Sequence, residues 1–234
     1  ANVNIKIIDG NTPIHAAVIK NRIQELKLLL NNGVIDVNVI NGNNLTPLYI
    51  ASQLGYLEIV KILVSTGAII NIHGPDRPTP LEIATQKGYE EVCQILINNG
   101  ANVNIATNGL TALTRASYYG YTNIIDLLIN AGANINHLDN TNRTPLWMAV
   151  KNCKIDAVKR LIDAGADIHL ADAHGITPLY VARQCQYNQI LELLETAVYQ
   201  PKYCMVCLVK PRNVVYMPCK HLLCCTYCSL QIRL

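Results

Sequence analysis

Cysteine is concentrated at one end of this 234-residue chain, where six of its nine cysteines lie within the last 31 residues. Four of them form two Cys-x2-Cys pairs, Cys204 with Cys207 and Cys225 with Cys228. Two such pairs supply four thiolates, which suit the tetrahedral coordination that zinc adopts in structural sites. The spacing therefore predicts one zinc ion held by four cysteines.

A second, partial set of metal ligands lies between these two pairs. Cys219 and His221 offer half of another zinc site, whereas Cys224 is not expected to be a ligand because Cys225 already gives the two-residue spacing. Cys224 could nevertheless substitute for its neighbour. The alternative is a disordered tail with free or disulfide-paired thiols. Because nothing in the sequence indicates an oxidising compartment, zinc is the favoured interpretation.

The tail needs a metal if it is to fold. Residues 201–234 contain too few large apolar side chains to fold by burial alone, and a structural zinc supplies on the order of 10–16 kcal/mol in small fingers. The segment has five basic and no acidic residues, against 14 basic and 16 acidic residues in the first 200. Without aromatic side chains at a defined module spacing, this charge does not predict nucleic-acid binding.

The rest of the chain is built on an internal repeat. A threonine followed by Pro or Ala and then by Leu or Ile recurs six times at intervals of 32 to 34 residues, at Thr12, Thr46, Thr79, Thr111, Thr144 and Thr177. Alanine stands five residues after each threonine and leucine seventeen after, and glycine stands twenty-one after the first five. Six copies in register indicate a repeat protein.

Each repeat carries signals for two helices and a loop. Threonine is a good N-cap and proline fits the first helical turn, so a helix is predicted to begin at each threonine. A glycine nine residues later, such as Gly55, ends that helix, and the apolar periodicity of residues 57–64 predicts a second one. The loop over 67–79 alternates isoleucine with asparagine and predicts an extended hairpin.

A 33-residue helix–turn–helix with a finger-like loop, opened by Thr-Pro-Leu, resembles the ankyrin repeat. The resemblance covers residues 10–198 as six repeats, with 1–9 as the end of a preceding repeat and 199–203 as a linker. It implies an all-α solenoid in which stacking buries the faces that one repeat cannot bury alone. Because residues 1–5 repeat the pattern of 101–105, we expect the chain to be a fragment.

Residues 204–234 resemble the RING finger, most closely the compact RING of inhibitor-of-apoptosis-type proteins. The likeness lies in the Pro218-Cys219-x-His221 turn and in the cysteine four residues after the histidine. In that family the first and third ligand pairs share one zinc, and the second and fourth pairs share the other. The fourth pair is expected about seven residues after Cys228, at or beyond Leu234, so the finger is partial here.

The RING resemblance implies ubiquitin-ligase activity. Such a domain holds a ubiquitin-charged conjugating enzyme and has no nucleophile of its own, and Val206 and Leu208 correspond to its docking surface. Thiolates committed to zinc lose most of their nucleophilicity, so no catalytic residue is assigned.

The ankyrin resemblance implies that the repeats bind a protein substrate or partner through their concave face. The family's contact positions correspond to several residues of this chain, of which we single out Tyr118, Tyr119, Arg143, Lys151, Asp76 and Lys87. The alternative is that the two tyrosines pack between repeats. Trp147, at the fourth position of its Thr-Pro-Leu-x tetrad, is expected to fill the groove between repeats and not to bind a ligand.

Two hypotheses follow for function. One is a ubiquitin ligase whose repeats recruit a target and whose tail recruits a conjugating enzyme; the other is a non-enzymatic scaffold with a structural zinc knuckle. No run of 18 apolar residues predicts a membrane span, and there is no secretory signal peptide. An intracellular, cytoplasmic location is expected, with the nucleus as an open alternative.

Overall fold

Six helical hairpins follow one another along the chain. The computed structural model describes residues 5–6, 9–31, 35–72, 74, 77–199, 214–216 and 223–225. The first helices of the repeats are α1 (Pro13–Ile19), α3 (Pro47–Leu54), α5 (Pro80–Lys87), α7 (Ala112–Tyr119), α9 (Pro145–Lys151) and α11 (Pro178–Gln184). The second helices are α2 (Ile23–Asn31), α4 (Leu57–Ser65), α6 (Glu90–Asn98), α8 (Thr122–Asn130), α10 (Ile155–Asp163) and α12 (Asn188–Tyr199).

Every first helix begins directly after its repeat threonine, as predicted. From the second repeat onward, the threonine hydroxyl accepts a hydrogen bond from the backbone N–H three residues later, which satisfies one of the unpaired donors of the first turn. In the third repeat the bond is reciprocal: Glu82 N donates to Thr79 Oγ1 at 3.1 Å, and Thr79 N donates to Glu82 Oε2 at 2.7 Å. The repeat threonine thus marks where each hairpin starts, with proline after it in five of the six repeats.

The first helices end at a residue in the left-handed conformation. Gly55 has φ +73°, and a Cβ there would lie 2.8 Å from the ring of Tyr89 in the next repeat. Glycine adopts this backbone conformation without strain and leaves room for the ring. Cys153 occupies the equivalent place at φ +53°, in a conformation that costs a β-carbon residue free energy.

The helices form two layers, because first helices pack on neighbouring first helices and second helices on neighbouring second helices. The alanine five residues after each threonine is buried in all six repeats and lets adjacent first helices approach closely. Buried apolar side chains run from Ile14 in α1 to Leu194 in α12 as one continuous core. The solenoid predicted from the repeat is thereby confirmed.

Among the described residues of the loops between repeats, the backbone segments that pair as β-strands are shorter than the extended hairpin predicted for 67–79. In that loop the structure describes one isolated bridge, Gly74 with Arg77. The loop of the next repeat holds a two-residue ribbon, β1 (Ala106–Thr107) with β2 (Leu110–Thr111). A side chain of the repeat before 67–79 also binds the backbone of that loop: Ile69 N donates to Asn38 Oδ1 at 2.7 Å.

A second ribbon lies in the cysteine-rich tail, where β3 (Val214–Tyr216) pairs antiparallel with β4 (Leu223–Cys225). Val214 lies opposite Cys225, and Tyr216 lies opposite Leu223. Among the described helices, none is long and apolar enough to cross a membrane.

Candidate protein-binding edge and zinc region

The exposed tyrosines of the fourth repeat form a cluster. Tyr118 and Tyr119, the last two residues of α7, are 42% and 37% exposed. Their ring centroids are 4.9 Å apart in an edge-to-face arrangement, and Tyr119 stacks on Tyr121 at 5.5 Å. More than a third of the surface of each of the first two tyrosines is therefore open to a partner, while the rest is covered by neighbouring residues.

Residues of the neighbouring repeats complete the surroundings of this cluster. The ring of Tyr121 covers Gly88, the residue after Lys87, since a Cβ on that glycine would lie 2.9 Å from the ring. On the other side the aliphatic stem of Lys154 covers Gly120, with its Cδ 2.8 Å from the equivalent point. The tyrosines are thus bordered by lysine-bearing turns of the third and fifth repeats.

Of the predicted partner-binding residues, the structure groups four and separates one. Lys87, Tyr118, Tyr119 and Lys151 all lie at the carboxyl ends of consecutive first helices. Arg143 precedes the N-cap of α9 and therefore lies at the opposite end of that helix from Lys151. At about 1.5 Å of rise per residue, the seven residues of α9 separate the two ends by roughly 10 Å. Asp76 lies outside the described residues.

Arg143 has partners within its own repeat. Its guanidinium Nη2 lies 2.8 Å from Asp139 Oδ2, and its Cζ lies 5.4 Å from the centroid of the Trp147 ring. Asp139 Oδ1 also accepts hydrogen bonds from Thr141 and from Arg143 N. Burial raises the pKa of Asp139, but the hydrogen bonds from Arg143 and Thr141 outweigh it and lower that pKa overall. Arg143 thus helps to hold its loop together.

The side chain at the fourth position of the Thr-Pro-Leu-x tetrad contacts the next repeat, as we expected for Trp147. Trp147 Nε1 donates to the carbonyl of Ile176 at 3.1 Å, and His15 Nε2 bonds the carbonyl of Leu45 at 3.0 Å. Both side chains are buried. Tyr180, at the same position in the sixth repeat, is 52% exposed.

A buried ion pair that the repeat pattern does not predict joins the third and fourth repeats. Glu82 is 1% exposed, and its Oε1 lies 3.6 Å from Nη2 of Arg115, whose side chain is 13% exposed. Thr107 binds the same carboxylate through its hydroxyl at 2.9 Å and its N–H at 3.2 Å. One feature of the sequence could have indicated this ion pair: the position four residues after the repeat threonine is arginine in the fourth repeat and apolar in the other five.

A row of asparagines links the loops of successive repeats. Asn38, Asn71 and Asn104 each accept a hydrogen bond from a backbone N–H of the next loop at 2.7–2.8 Å. Each also donates to the carbonyl of the glycine that ends the next repeat's second helix, at 3.1–3.4 Å. Their 33-residue spacing was visible in the sequence, but it indicated strands there and not side-chain bridges.

Three cysteines belong to the repeats. Cys93 is buried, and burial raises the pKa of its thiol to about 11, so it is almost entirely protonated at neutral pH. Cys153 is exposed and Cys185 is half-buried. In the part of the chain that the structure describes, no three potential ligands are grouped to hold a metal ion.

Most predicted residues of the tail lie outside the described part of the chain: Cys204, Val206, Cys207, Leu208, Cys219, His221 and Cys228. The backbone of Cys225 ends strand β4. In the sequence, Cys219 and His221 fall between β3 and β4, and the set of zinc ligands stays a prediction.

Repeat spacing, capped hairpins and a continuous core define a helical-repeat solenoid. Residues 1–74, 68–139 and 131–201 match the family described as ankyrin repeats (3 copies), and the chain belongs to the ankyrin-repeat family. Residues 200–233 match the zinc finger of C3HC4 type, the RING finger, and a RING finger implies zinc binding. Both predicted resemblances are confirmed.

Several curated proteins are similar to part of the chain. Human transient receptor potential cation channel subfamily A member 1 is 42% identical over 66 residues, which is 28% of this chain and 6% of that protein. Mouse ankyrin repeat domain-containing protein 13B is 35% identical over 60 residues, 26% of this chain and 10% of that protein. The poly [ADP-ribose] polymerase tankyrase of Caenorhabditis elegans is 38% identical over 71 residues, 29% of this chain and 3% of that protein. The matched part of this chain spans a tenth or less of each.

Proposed function

We propose that the protein is a ubiquitin ligase of the RING type, in which the ankyrin repeats bind a protein substrate and the tail recruits a ubiquitin-conjugating enzyme. The observation that supports this most is the presence of both families in one chain, ankyrin repeats over 1–201 and a C3HC4 finger over 200–233. In this proposal the repeats would hold the substrate while the finger holds the enzyme that carries ubiquitin.

In the proposed zinc site, Cys204, Cys207, Cys225 and Cys228 hold one ion, and the metal provides the folding energy of the tail. Cys219 and His221 are half of a second site. When bound, zinc fixes the finger and takes no part in the transfer. The four cysteines act as ligands, since a zinc-bound thiolate is a poor nucleophile.

Val206 and Leu208 are the proposed contacts with the conjugating enzyme. The transfer itself occurs between that enzyme and the substrate: a substrate lysine amine attacks the thioester carbonyl, the C–S bond breaks, and an amide bond forms. The amine proton leaves with solvent or a base of the conjugating enzyme. The role of this chain is to hold both reactants so that the step becomes effectively unimolecular.

The test compares two adjacent cysteines. In the complete natural protein, Cys225→Ser is expected to abolish ubiquitin-chain assembly in a reaction with activating enzyme, conjugating enzyme and ubiquitin. Cys224→Ser, next to it in the sequence and outside the proposed ligand set, is the matched control and keeps the activity.

Metal analysis provides a second readout. The unaltered 234-residue chain is expected to bind about one zinc, the number that four tetrahedral thiolates hold, and Cys225→Ser is expected to lose it. Because Cys224 could substitute for its neighbour, Cys224→Ser with Cys225→Ser is tested as well: chain assembly that persists in the double variant contradicts the proposed ligand set, and no chain assembly by the unaltered complete protein refutes the ligase proposal. Zinc binding without chain assembly in the complete protein instead supports the scaffold hypothesis.

A further inference from the structure

Aromatic and basic side chains are concentrated along one edge of the solenoid. We define the turn edge as the four residues that end each first helix and begin the following turn, at 19–22, 53–56, 86–89, 118–121, 151–154 and 184–187. These 24 residues contain six of the chain's 12 tyrosines. They also contain five of the 14 basic residues of the first 200 and none of the 16 acidic residues.

The charge of the turn edge is therefore opposite to that of the rest of the solenoid, which is net negative. Within the described residues, Lys87, Lys151 and Lys154 form no ion pair. Acidic residues begin the second helices next to the turn edge: Glu58 pairs with Lys61 at 2.7 Å, Glu90 accepts a hydrogen bond from Asn123 at 2.8 Å, and Glu91 and Asp156 lie in the first turns of α6 and α10. Among the described residues none of these carboxylates is paired with the three lysines, of which Lys87 and Lys151 are exposed and Lys154 is half-buried, so their ammonium groups are open to carboxylates of a partner.

The centre of the turn edge combines these lysines with an exposed apolar surface. The ring of Tyr119 contacts the rings of both Tyr118 and Tyr121, and the stem of Lys154 lies against Gly120, which stands between Tyr119 and Tyr121 in the chain. Exposed tyrosine is among the residues most enriched at binding hot spots, because it brings a large rigid surface at a low entropic cost. Cations around an aromatic centre complement a partner that carries acidic groups around an apolar anchor.

We propose that the turn edge between Lys87 and Lys154 binds an acidic protein segment, with an apolar side chain of that segment against Tyr118 and Tyr119 and its carboxylates beside the lysines. The inference rests on the protein-binding half of the proposed function and names the chemical class of the partner. A single-stranded nucleic acid also carries negative charge and stacking groups, and the test below decides between the two.

The test measures binding of defined probes to the full chain by fluorescence anisotropy. The first probe is a labelled peptide that alternates glutamate with leucine, and the second is the same peptide with lysine in place of glutamate. We expect the acidic peptide to bind at least tenfold more tightly, and its affinity to fall as sodium chloride is raised.

Variants locate the site. Tyr118→Ala with Tyr119→Ala is expected to weaken binding of the acidic peptide by at least tenfold. The control for this variant is Tyr180→Ala, which removes a tyrosine that is 52% exposed and lies away from the turn edge. Lys87→Glu is expected to weaken binding severalfold, and Lys159→Glu, on the second helix α10, serves as its charge control.

Equal affinity for the two peptides, or an unchanged affinity in the double tyrosine variant with its circular dichroism intact, refutes the proposal. Tight binding of labelled oligouridylate that competes with the peptide and is lost in the same variants assigns the edge to nucleic acid instead. Since these measurements need neither zinc nor ubiquitin, their failure leaves the ligase assay unaffected. Likewise, a failed ligase assay leaves peptide binding intact.

Discussion

Replacing Glu82 with glutamine tests how strongly the buried ion pair couples the third and fourth repeats. The carboxylate accepts hydrogen bonds from Thr79 N at 2.7 Å, Thr107 Oγ1 at 2.9 Å and Thr107 N at 3.2 Å, and lies 3.6 Å from Arg115 Nη2. Glutamine keeps one acceptor oxygen and turns an N–H₂ donor toward other donors. It also leaves a cation that is 13% exposed without a counter-charge.

The expected cost follows from the burial of both partners. Removing one partner of a buried ion pair costs about 3–5 kcal/mol, and we expect about 3 kcal/mol for Glu82→Gln because one acceptor remains. For a chain of this size that corresponds to a fall in Tm of roughly 6–12 °C. Arg115→Met is expected to cost less, about 1–2 kcal/mol, since the carboxylate keeps three donors and the buried Arg115 Nε has no hydrogen-bond partner to lose.

Urea titration measures these free energies of unfolding. Because repeat arrays can unfold in more than one step, the transition is followed both by circular dichroism and by the fluorescence of Trp147, the single tryptophan of the chain. Combining Glu82→His, the residue type of the first repeat, with Arg115→Met is expected to recover most of the loss. Lys61→Met, which breaks an exposed 2.7 Å pair with Glu58, is the control and costs under about 1 kcal/mol.

A cost below about 1 kcal/mol for Glu82→Gln would refute this reasoning. It would mean that water reaches the carboxylate and that the two repeats are coupled by apolar packing alone. A double variant no more stable than Glu82→Gln would show that the pair, once lost, cannot be replaced by the pattern of the first repeat.

Three further predictions concern single residues of the repeats. Cys153→Gly is expected to stabilise the chain by about 1 kcal/mol in urea titration, because glycine adopts φ +53° without strain, and an unchanged or lower stability would contradict this. Because the pKa of Asp139 is lowered on folding, its stabilising effect is complete above the ordinary value of 3.8 and is lost as the pH falls through the lower folded value. The Asp139→Asn variant should therefore lose less stability than the unaltered chain on acidification below about pH 4. The measurement is an acid titration followed by circular dichroism, and an equal loss of stability in the two proteins would argue against that effect. Iodoacetamide at pH 8 should modify the exposed Cys153 and spare the buried Cys93, whose pKa is about 11, until urea unfolds the repeats. Peptide mass mapping measures the labelling of each cysteine, and equal labelling in the native state would disprove the burial argument.

How far the sequence predicts this molecule depends on whether a feature arises within one repeat or between repeats. Thr46 and Gly55 act on their own helix, through a cap and a left-handed residue, so local sequence was enough to place both ends of α3. The pairing of Glu82 with Arg115 depends on which side chains face each other across neighbouring repeats, and periodicity alone does not contain that information.

The partner-binding residues show the same division. Tyr118 and Tyr119 were singled out as contact positions, and the structure places both at the end of a first helix with exposed rings; their role in binding stays a prediction. Arg143 was singled out together with them, but it lies before the start of α9, at the opposite end of that helix from Lys151, and pairs with Asp139. Two residues can occupy contact positions of one family and still lie on different edges, because helix direction places them apart.

The asparagine row has a consequence for how such a chain can change in length. Asn38, Asn71 and Asn104 present the same amide to the same two backbone groups of the following loop. If one whole 33-residue unit is deleted or duplicated, each asparagine amide still meets a glycine carbonyl and a loop N–H of the following repeat. An insertion of another length in this part of the fold leaves one such carbonyl and one such N–H without their asparagine partner. Because the asparagine contacts between neighbouring repeats are equivalent, whole repeats can be gained or lost during evolution while these contacts are kept. The length of the solenoid can therefore change by one repeat at a time.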